Sequence, residues 1–77
     1  MSQVLNVIMV EIEKHAALLA VKEMDIVIVC NANDYIYSIN GDLYDSKDED
    51  MSPIAFHYRR KMLIENGGGE YKFTYHR

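Results

Sequence analysis

Asn40-Gly41 stands between two short stretches, Tyr35-Ile36-Tyr37-Ser38-Ile39 before it and Asp42-Leu43-Tyr44 after it. Asn and Gly accept the positive φ angles that a two-residue type I′ turn demands, and the twist of that turn matches the twist of paired strands. The dipeptide therefore predicts an antiparallel hairpin in which Ile39 faces Asp42 and Tyr37 faces Tyr44. It also predicts where the chain leaves the sheet, at about Tyr44, so that the polar residues up to Ser52 run exposed.

The remainder has to assemble around that hairpin without covalent help. A chain of 77 residues is one domain, and at this size folding hides only roughly 60–65% of the surface the unfolded chain exposes. The lone Cys30 permits no internal disulfide, and no Cys/His set has zinc spacing. A thin hydrophobic core must therefore suffice, or a partner surface must add to it. No apolar run approaches the roughly 18 residues of a membrane span. Residues 4–10 lack the basic flank and small-residue cleavage site of a signal peptide. Single-cysteine usage fits a reducing cytoplasm.

From residue 3 to about residue 23 the apolar positions recur at helical spacing. Leu5, Ile8, Ile12, Ala16 and Leu19 form one stripe, with Met9 and Ala20 beside it and Asn6, Glu13 and Lys14 opposite. The β-branched residues Val4, Val7, Ile8, Val10 and Ile12 argue for a strand, but the unbroken period through Leu19 decides for helix. Val10 and Val21 fall toward the polar side, so the apolar surface is wider than one thin core needs. Residues 25–30 (DIVIVC) read as a strand buried on both faces. Asn31, Asn33 and Asp34 read as the turn into the next strand, 35–39, because their side chains bond nearby backbone.

Residues 53–65 (PIAFHYRRKMLIE) carry two patterns. Ser52 as N-cap, Pro53 at the first helical position and Asn66-Gly67 beyond the end mark a second helix. As a strand, Phe56, Tyr58, Met62 and Ile64 share one face, and a turn through Gly67-Gly68-Gly69 sets Ile64 opposite Tyr71 and Met62 opposite Phe73. That pairing unites two apolar faces, since 70–76 alternates Tyr71, Phe73 and Tyr75 against Lys72, Thr74 and His76, and on this ground the hairpin is favoured. The expected fold is α+β: an N-terminal amphipathic helix packed on a small antiparallel sheet. Its strands are 25–30, 35–39, 42–45 and 70–76, with 55–64 added if the hairpin forms.

Charge is unevenly placed. Residues 1–53 hold ten acids and three lysines, a balance of −7, while residues 54–77 come to +3 through Arg59, Arg60, Lys61, Lys72 and Arg77. Residues 42–50 (DLYDSKDED) hold Asp42, Asp45, Asp48, Glu49 and Asp50 against Lys47, which equals the −4 of the whole chain. Such segregation bears on partners and association rates.

Chemistry-bearing constellations are scarce. His15, His57 and His76 show no metal-ligand spacing, and Glu11 and His15 form an ordinary i, i+4 helical pair. The acids of 42–50 lack the alternation, glycine and closing glutamate of a calcium loop. The three glycines lack the Lys-Ser/Thr of a phosphate loop and read as a turn. Cys30, ending the most apolar strand, reads as a buried hydrophobe. No metal, cofactor or enzyme activity is expected.

The leading expectation is a non-enzymatic protein-binding module, an inhibitor or adaptor that occupies a basic surface. Asp42, Asp45, Asp48, Glu49 and Asp50 supply steering, with Tyr37 and Tyr44 as neighbouring anchors. If the partner handles nucleic acid, the acids mimic phosphates, as in small phage-encoded inhibitors. Two alternatives stand beside it. One is nucleic-acid binding through the basic, aromatic C-terminal third at Arg59, Arg60, Lys61, Lys72 and Arg77. The other is a homo-oligomer in which that third meets the acidic stretch of the next chain.

Overall fold

The structure, a computed structural model, describes residues 2–76 of the chain. Six elements follow one another: α1 (Ser2–Leu19), β1 (Glu23–Cys30), β2 (Tyr35–Ile39), β3 (Asp42–Tyr44), α2 (Pro53–Glu65) and β4 (Gly69–His76). The strands form one antiparallel sheet in the order β3-β2-β1-β4. β1, the most apolar strand, is central, paired on both sides.

The hairpin forms in the expected register, Ile39 opposite Asp42 and Tyr37 opposite Tyr44, with Asn40 and Gly41 at φ 50° and 88°. Asn40 does further work there: its backbone N–H donates to the Asp25 carbonyl at 2.9 Å, and its Oδ1 accepts from the Asp25 N–H at 2.8 Å. The turn from β1 to β2 is held as an Asx turn, with Asn31 Oδ1 accepting from the N–H groups of Asn33 and Asp34.

Strand alternation sends two sets of side chains to opposite faces. On one face Met24, Ile26, Ile28, Cys30, Tyr37 and Ile39 pack against Ile8, Ile12 and Ala16 of α1. On the other, Val29 and Ile36 pack with Leu63 of α2, flanked by Val27, Met51 and Phe56. The sheet is thus the middle of three layers. Fully burying a side chain such as Ile8 or Ile12 contributes about 1.5–3 kcal/mol, so the α1 face carries most of the core.

Two expectations are corrected. Helix α1 ends at Leu19 rather than near residue 23, because Ala20 turns left-handed at φ 56° and its N–H bonds the Ala16 carbonyl at 3.0 Å. This is an αL cap built on alanine instead of glycine, which hides the helix end from a sequence reading. Leu19 is consequently exposed, whereas Val21 packs against the core.

The second correction is larger: residues 53–65 are helix, and the proposed pairing of Ile64 with Tyr71 and Met62 with Phe73 does not exist. Ser52 Oγ accepts from the Ala55 N–H at 3.1 Å, with Pro53 in the first turn. At the other end Gly67, at φ 85°, donates to the Ile64 carbonyl and Gly68 to the Leu63 carbonyl at 2.9 Å. Those two bonds are a Schellman cap. The inward positions of α2 are Phe56, Arg59, Arg60 and Leu63, at i, i+3, i+4 and i+7. Two arginines inside that stripe are why the apolar pattern looked better as a strand. Met62 and Ile64 lie on the exposed side of α2. The triple glycine is therefore a helix stop and a strand start, and β4 pairs with β1 from Glu23–His76 to Cys30–Gly69.

Gly68 has a steric reason to be glycine: a Cβ there would stand 2.5 Å from the carbonyl oxygens of both Cys30 and Leu63. Backbone atoms cannot yield cheaply, so Gly68→Ala is expected to lower unfolding stability by about 1–3 kcal/mol. A urea titration reads this as a lower midpoint at unchanged slope; an unchanged midpoint contradicts it.

Candidate functional site

The acidic stretch does not run free. After β3 the chain turns back on itself, with Asp50 bridging to Tyr44 and the Met51 N–H donating to the Leu43 carbonyl at 2.9 Å. Inside the turn Asp45 Oδ1 accepts from the N–H groups of Lys47 and Glu49 at 2.8 and 3.0 Å. The Asp45 N–H donates to the Glu49 carbonyl, and the Asp48 N–H to the Asp45 carbonyl. Asp45 thus spends its carboxylate on the loop's own backbone, a local option open to Asp and Asn side chains.

Two phenols of β2 pin this loop to the sheet. Tyr35 donates to the Ser46 carbonyl at 3.3 Å, and Tyr37 donates to Asp48 Oδ1. Asp48 itself sits at φ 61°, a left-handed conformation that Asp tolerates better than most residues. The Tyr37 oxygen also lies 2.8 Å from His15 Nδ1 on α1. A hydroxyl has one proton; with that given to Asp48, Tyr37 accepts from a protonated Nδ1. The His15 ring in turn lies 4.2 Å from that of Tyr44, which is 5.4 Å from Tyr37, centroid to centroid. One helix, two strands and the loop meet at a single buried phenol.

Ionisation follows from this geometry. A hydrogen bond to Asp48, with burial, pushes the Glu11 carboxyl above its ordinary value. Burial pushes Asp48 up as well, but hydrogen bonds from Glu11 and Tyr37 outweigh it and hold Asp48 below the usual carboxylate range. The opposite shifts favour a protonated Glu11 donating a hydrogen bond to an ionised Asp48. Burial pushes the Tyr37 phenol far above its ordinary value, reinforced by Asp48, so it stays a neutral donor. Burial likewise raises Tyr44, Tyr35 and the wholly buried Cys30.

The residues singled out from sequence now separate by role. Asp42, Glu49 and Asp50 are exposed; half-buried Asp45 bonds the loop backbone, and Asp48, though exposed, spends a carboxylate oxygen on the Tyr37 hydroxyl. Tyr37 has no exposed surface and Tyr44 only 7%, so neither meets a partner as a surface anchor. Their hydroxyl-bearing rings belong to the core that supports the loop. An open depression of about 400 Å³ runs beside β3, lined by Asp42, Leu43, Tyr44, Asp50, Met51 and Pro53 among others.

The basic third is partly neutralised. Arg59 pairs with Asp34, and Arg60 with Glu70, whose carboxyl the Arg60 guanidinium holds below its ordinary range. Lys72 reaches the same Glu70 at 3.4 Å, Lys61 is exposed, and Arg77 lies outside the described residues. In the sequence Glu11 and His15 read only as a helical pair; their partners, Asp48 of the loop and Tyr37 of β2, lie on other elements. Among the described residues no three His, Cys, Asp or Glu side chains converge to hold a metal ion, and no helix is long and apolar enough to cross a membrane. No protein-family model, curated protein or solved structure matches the chain.

The Glu11–Asp48 pair predicts a pH dependence. The contribution of Glu11, whose folded pKa is raised, is complete below its unfolded value and fades as pH rises through the folded one. That of Asp48, whose folded pKa is lowered, is present above its unfolded value and fades as pH falls. The pair is thus best satisfied in mildly acidic solution, and neutral pH leaves two carboxylates facing each other. Glu11→Gln, an uncharged donor, is expected to raise stability at pH 7 by on the order of 0.5–1 kcal/mol, the scale of a partly exposed charge contact. Thermal unfolding of both forms at pH 5 and pH 7 checks this; equal shifts in the two forms contradict it.

Proposed function

We propose that the protein is a non-enzymatic protein-binding module, an inhibitor or adaptor, that docks on a basic surface of its partner through the β3 edge and residues 45–50. The observation that supports this reading is the way the acids are divided. Asp45 and Asp48 fold the loop, while Asp42, Glu49 and Asp50 are left outward beside an open depression. Ordering the loop in advance lowers the entropy lost on binding. Carboxylates on a preorganised rim steer a cationic partner and set its register more than they add raw affinity.

A cationic side chain entering the depression would meet the carboxylates of Asp42 and Asp50 together with the apolar Leu43 and Met51 that line it. If the partner is a nucleic-acid enzyme, the three outward acids take the place of backbone phosphates. The engagement of Arg59 with Asp34 and of Arg60 with Glu70 leaves less free positive charge for binding nucleic acid directly. A wholly buried free thiol suits a reducing cytoplasm, where we place its action.

The test neutralises only the outward acids. A pull-down from lysate compares wild type with the triple variant Asp42→Asn, Glu49→Gln, Asp50→Asn, which leaves Asp45 and Asp48 to hold the loop. A partner retained at low salt is expected to be lost by the variant, with apparent affinity down about tenfold or more and the difference shrinking as salt is raised. Equal recovery of that partner by both proteins overturns the acidic-edge reading.

A further inference from the structure

The sheet has two edges, and they are treated differently. β3 is three residues long, acidic at Asp42, and covered at its end by the returning Asp50. β4 is eight residues long, pairs with β1 on one side only, and is last in the sheet. Its pairing with β1 runs without a bulge from Gly69 to His76, and the strand contains no proline. Lys72 is the one lysine in it. Natural edge strands are normally kept short, bulged, proline-bearing or charged to prevent pairing with other chains, and β4 carries almost none of those devices.

Its apolar side is also left half uncovered. Tyr71, Phe73 and Tyr75 stand opposite Ile28, Ile26 and Met24, on the same face of the sheet as α1. α1 lies over β1 and β2, so Tyr75 packs against the core while Tyr71 and Phe73 keep 37% and 36% of their surface exposed. Of the three rings, Tyr75 is the one half-buried beneath the first helix. An unpaired backbone edge and a row of exposed aromatic rings thus coincide on one strand.

We propose that β4 pairs antiparallel with β4 of a second copy, joining two four-stranded sheets into one continuous eight-stranded sheet about a two-fold axis through Phe73. A two-fold along the sheet normal keeps like faces together, so it passes through a residue position and sets partners of the same parity opposite each other. Centred on Phe73, it puts Phe73 against its own copy and Tyr71 against the second copy's Tyr75, closing the aromatic row. On the other face Glu70 meets the second copy's His76, and Lys72 meets the second copy's Thr74. Neighbouring registers lose this complementarity: centring on Lys72 opposes two lysines, and centring on Thr74 sets Lys72 against His76.

The same arrangement places the two acidic β3 edges at the far ends of the joined sheet, where repulsion between them is least. It leaves the acidic edge open, so it stands independently of the partner-docking reading. It also differs from an acidic-to-basic head-to-tail contact, which would extend into chains and dissolve in salt. An isologous strand pair closes as a dimer and persists in salt, because backbone hydrogen bonds and aromatic burial hold it.

Sedimentation velocity over a range of protein concentrations, at low and at high salt, tests the proposal on the full chain. Wild type is expected to approach twice the chain mass at both salt levels. Phe73→Lys, which sets two lysines face to face at the axis and alters an exposed edge position, is expected to sediment as a folded monomer by circular dichroism. Phe73→Cys checks the register, because only at the axis does a residue meet itself: mild oxidant should give a disulfide-linked dimer. Lys72→Cys under the same oxidant should give none, and Cys30 is buried in every variant. A wild-type monomer at every concentration, a dimer indifferent to Phe73→Lys, or cross-linking through Lys72→Cys in place of Phe73→Cys overturns it.

Discussion

The buried hydroxyl of Tyr37 is the constraint on which the acidic edge depends. A phenol taken wholly out of water must find partners or cost the full desolvation of its oxygen. Tyr37 finds two, Asp48 from the loop and His15 from α1, and so obliges a helix and a loop to meet over β2. Once Asp48 is drawn in, the rest of the loop follows. The Asp45 carboxylate closes the turn, Tyr35 holds Ser46, and Asp50 returns alongside Tyr44. Five acids that repel one another in an unfolded chain become two structural groups and three outward ones.

Polar demand of the same kind sets the position of α2. Arg59 and Arg60 occupy the inward stripe of that helix, which a thin core could not accept as bare charges. Asp34 in the β1–β2 turn and Glu70 at the start of β4 receive them, so the helix is tied to the central turn and to the β4 edge while Leu63 and Phe56 pack on the sheet. Partly exposed pairs of this sort contribute modestly to stability. Their larger effect is on placement, since they fix which side of α2 turns inward and leave Ile54, Tyr58 and Met62 outside.

Where the determinants are local, the sequence was a good guide. Asn40-Gly41 gave the hairpin with its register to the residue, the DIVIVC run is the central strand, and the α+β class with helix α1 over the sheet stands. Ser52-Pro53 and Asn66-Gly67 named the ends of α2 correctly, yet its interior misled, because Arg59 and Arg60 sit in the apolar stripe and their neutralising partners lie elsewhere in the chain. The candidate site shows the same division. Asp42, Glu49 and Asp50 are legible as exposed acids from their setting after a turn. That Asp48 accepts from Tyr37, and that Tyr37 and Tyr44 are core rather than surface, follows from α1 packing beside β3, a non-local fact that no short pattern encodes.

The coupling between Tyr37 and Asp48 tests this account most directly. A double-mutant cycle of Tyr37→Phe, Asp48→Asn and the pair, followed by urea unfolding, isolates the interaction while keeping shape nearly constant. A phenol bonded to an ionised carboxylate predicts a coupling energy of about 1.5–3 kcal/mol at neutral pH, the scale of a hydrogen bond to a charged group. Additive effects, within roughly 0.5 kcal/mol, would show that the loop takes its shape without Tyr37 and would contradict the central claim.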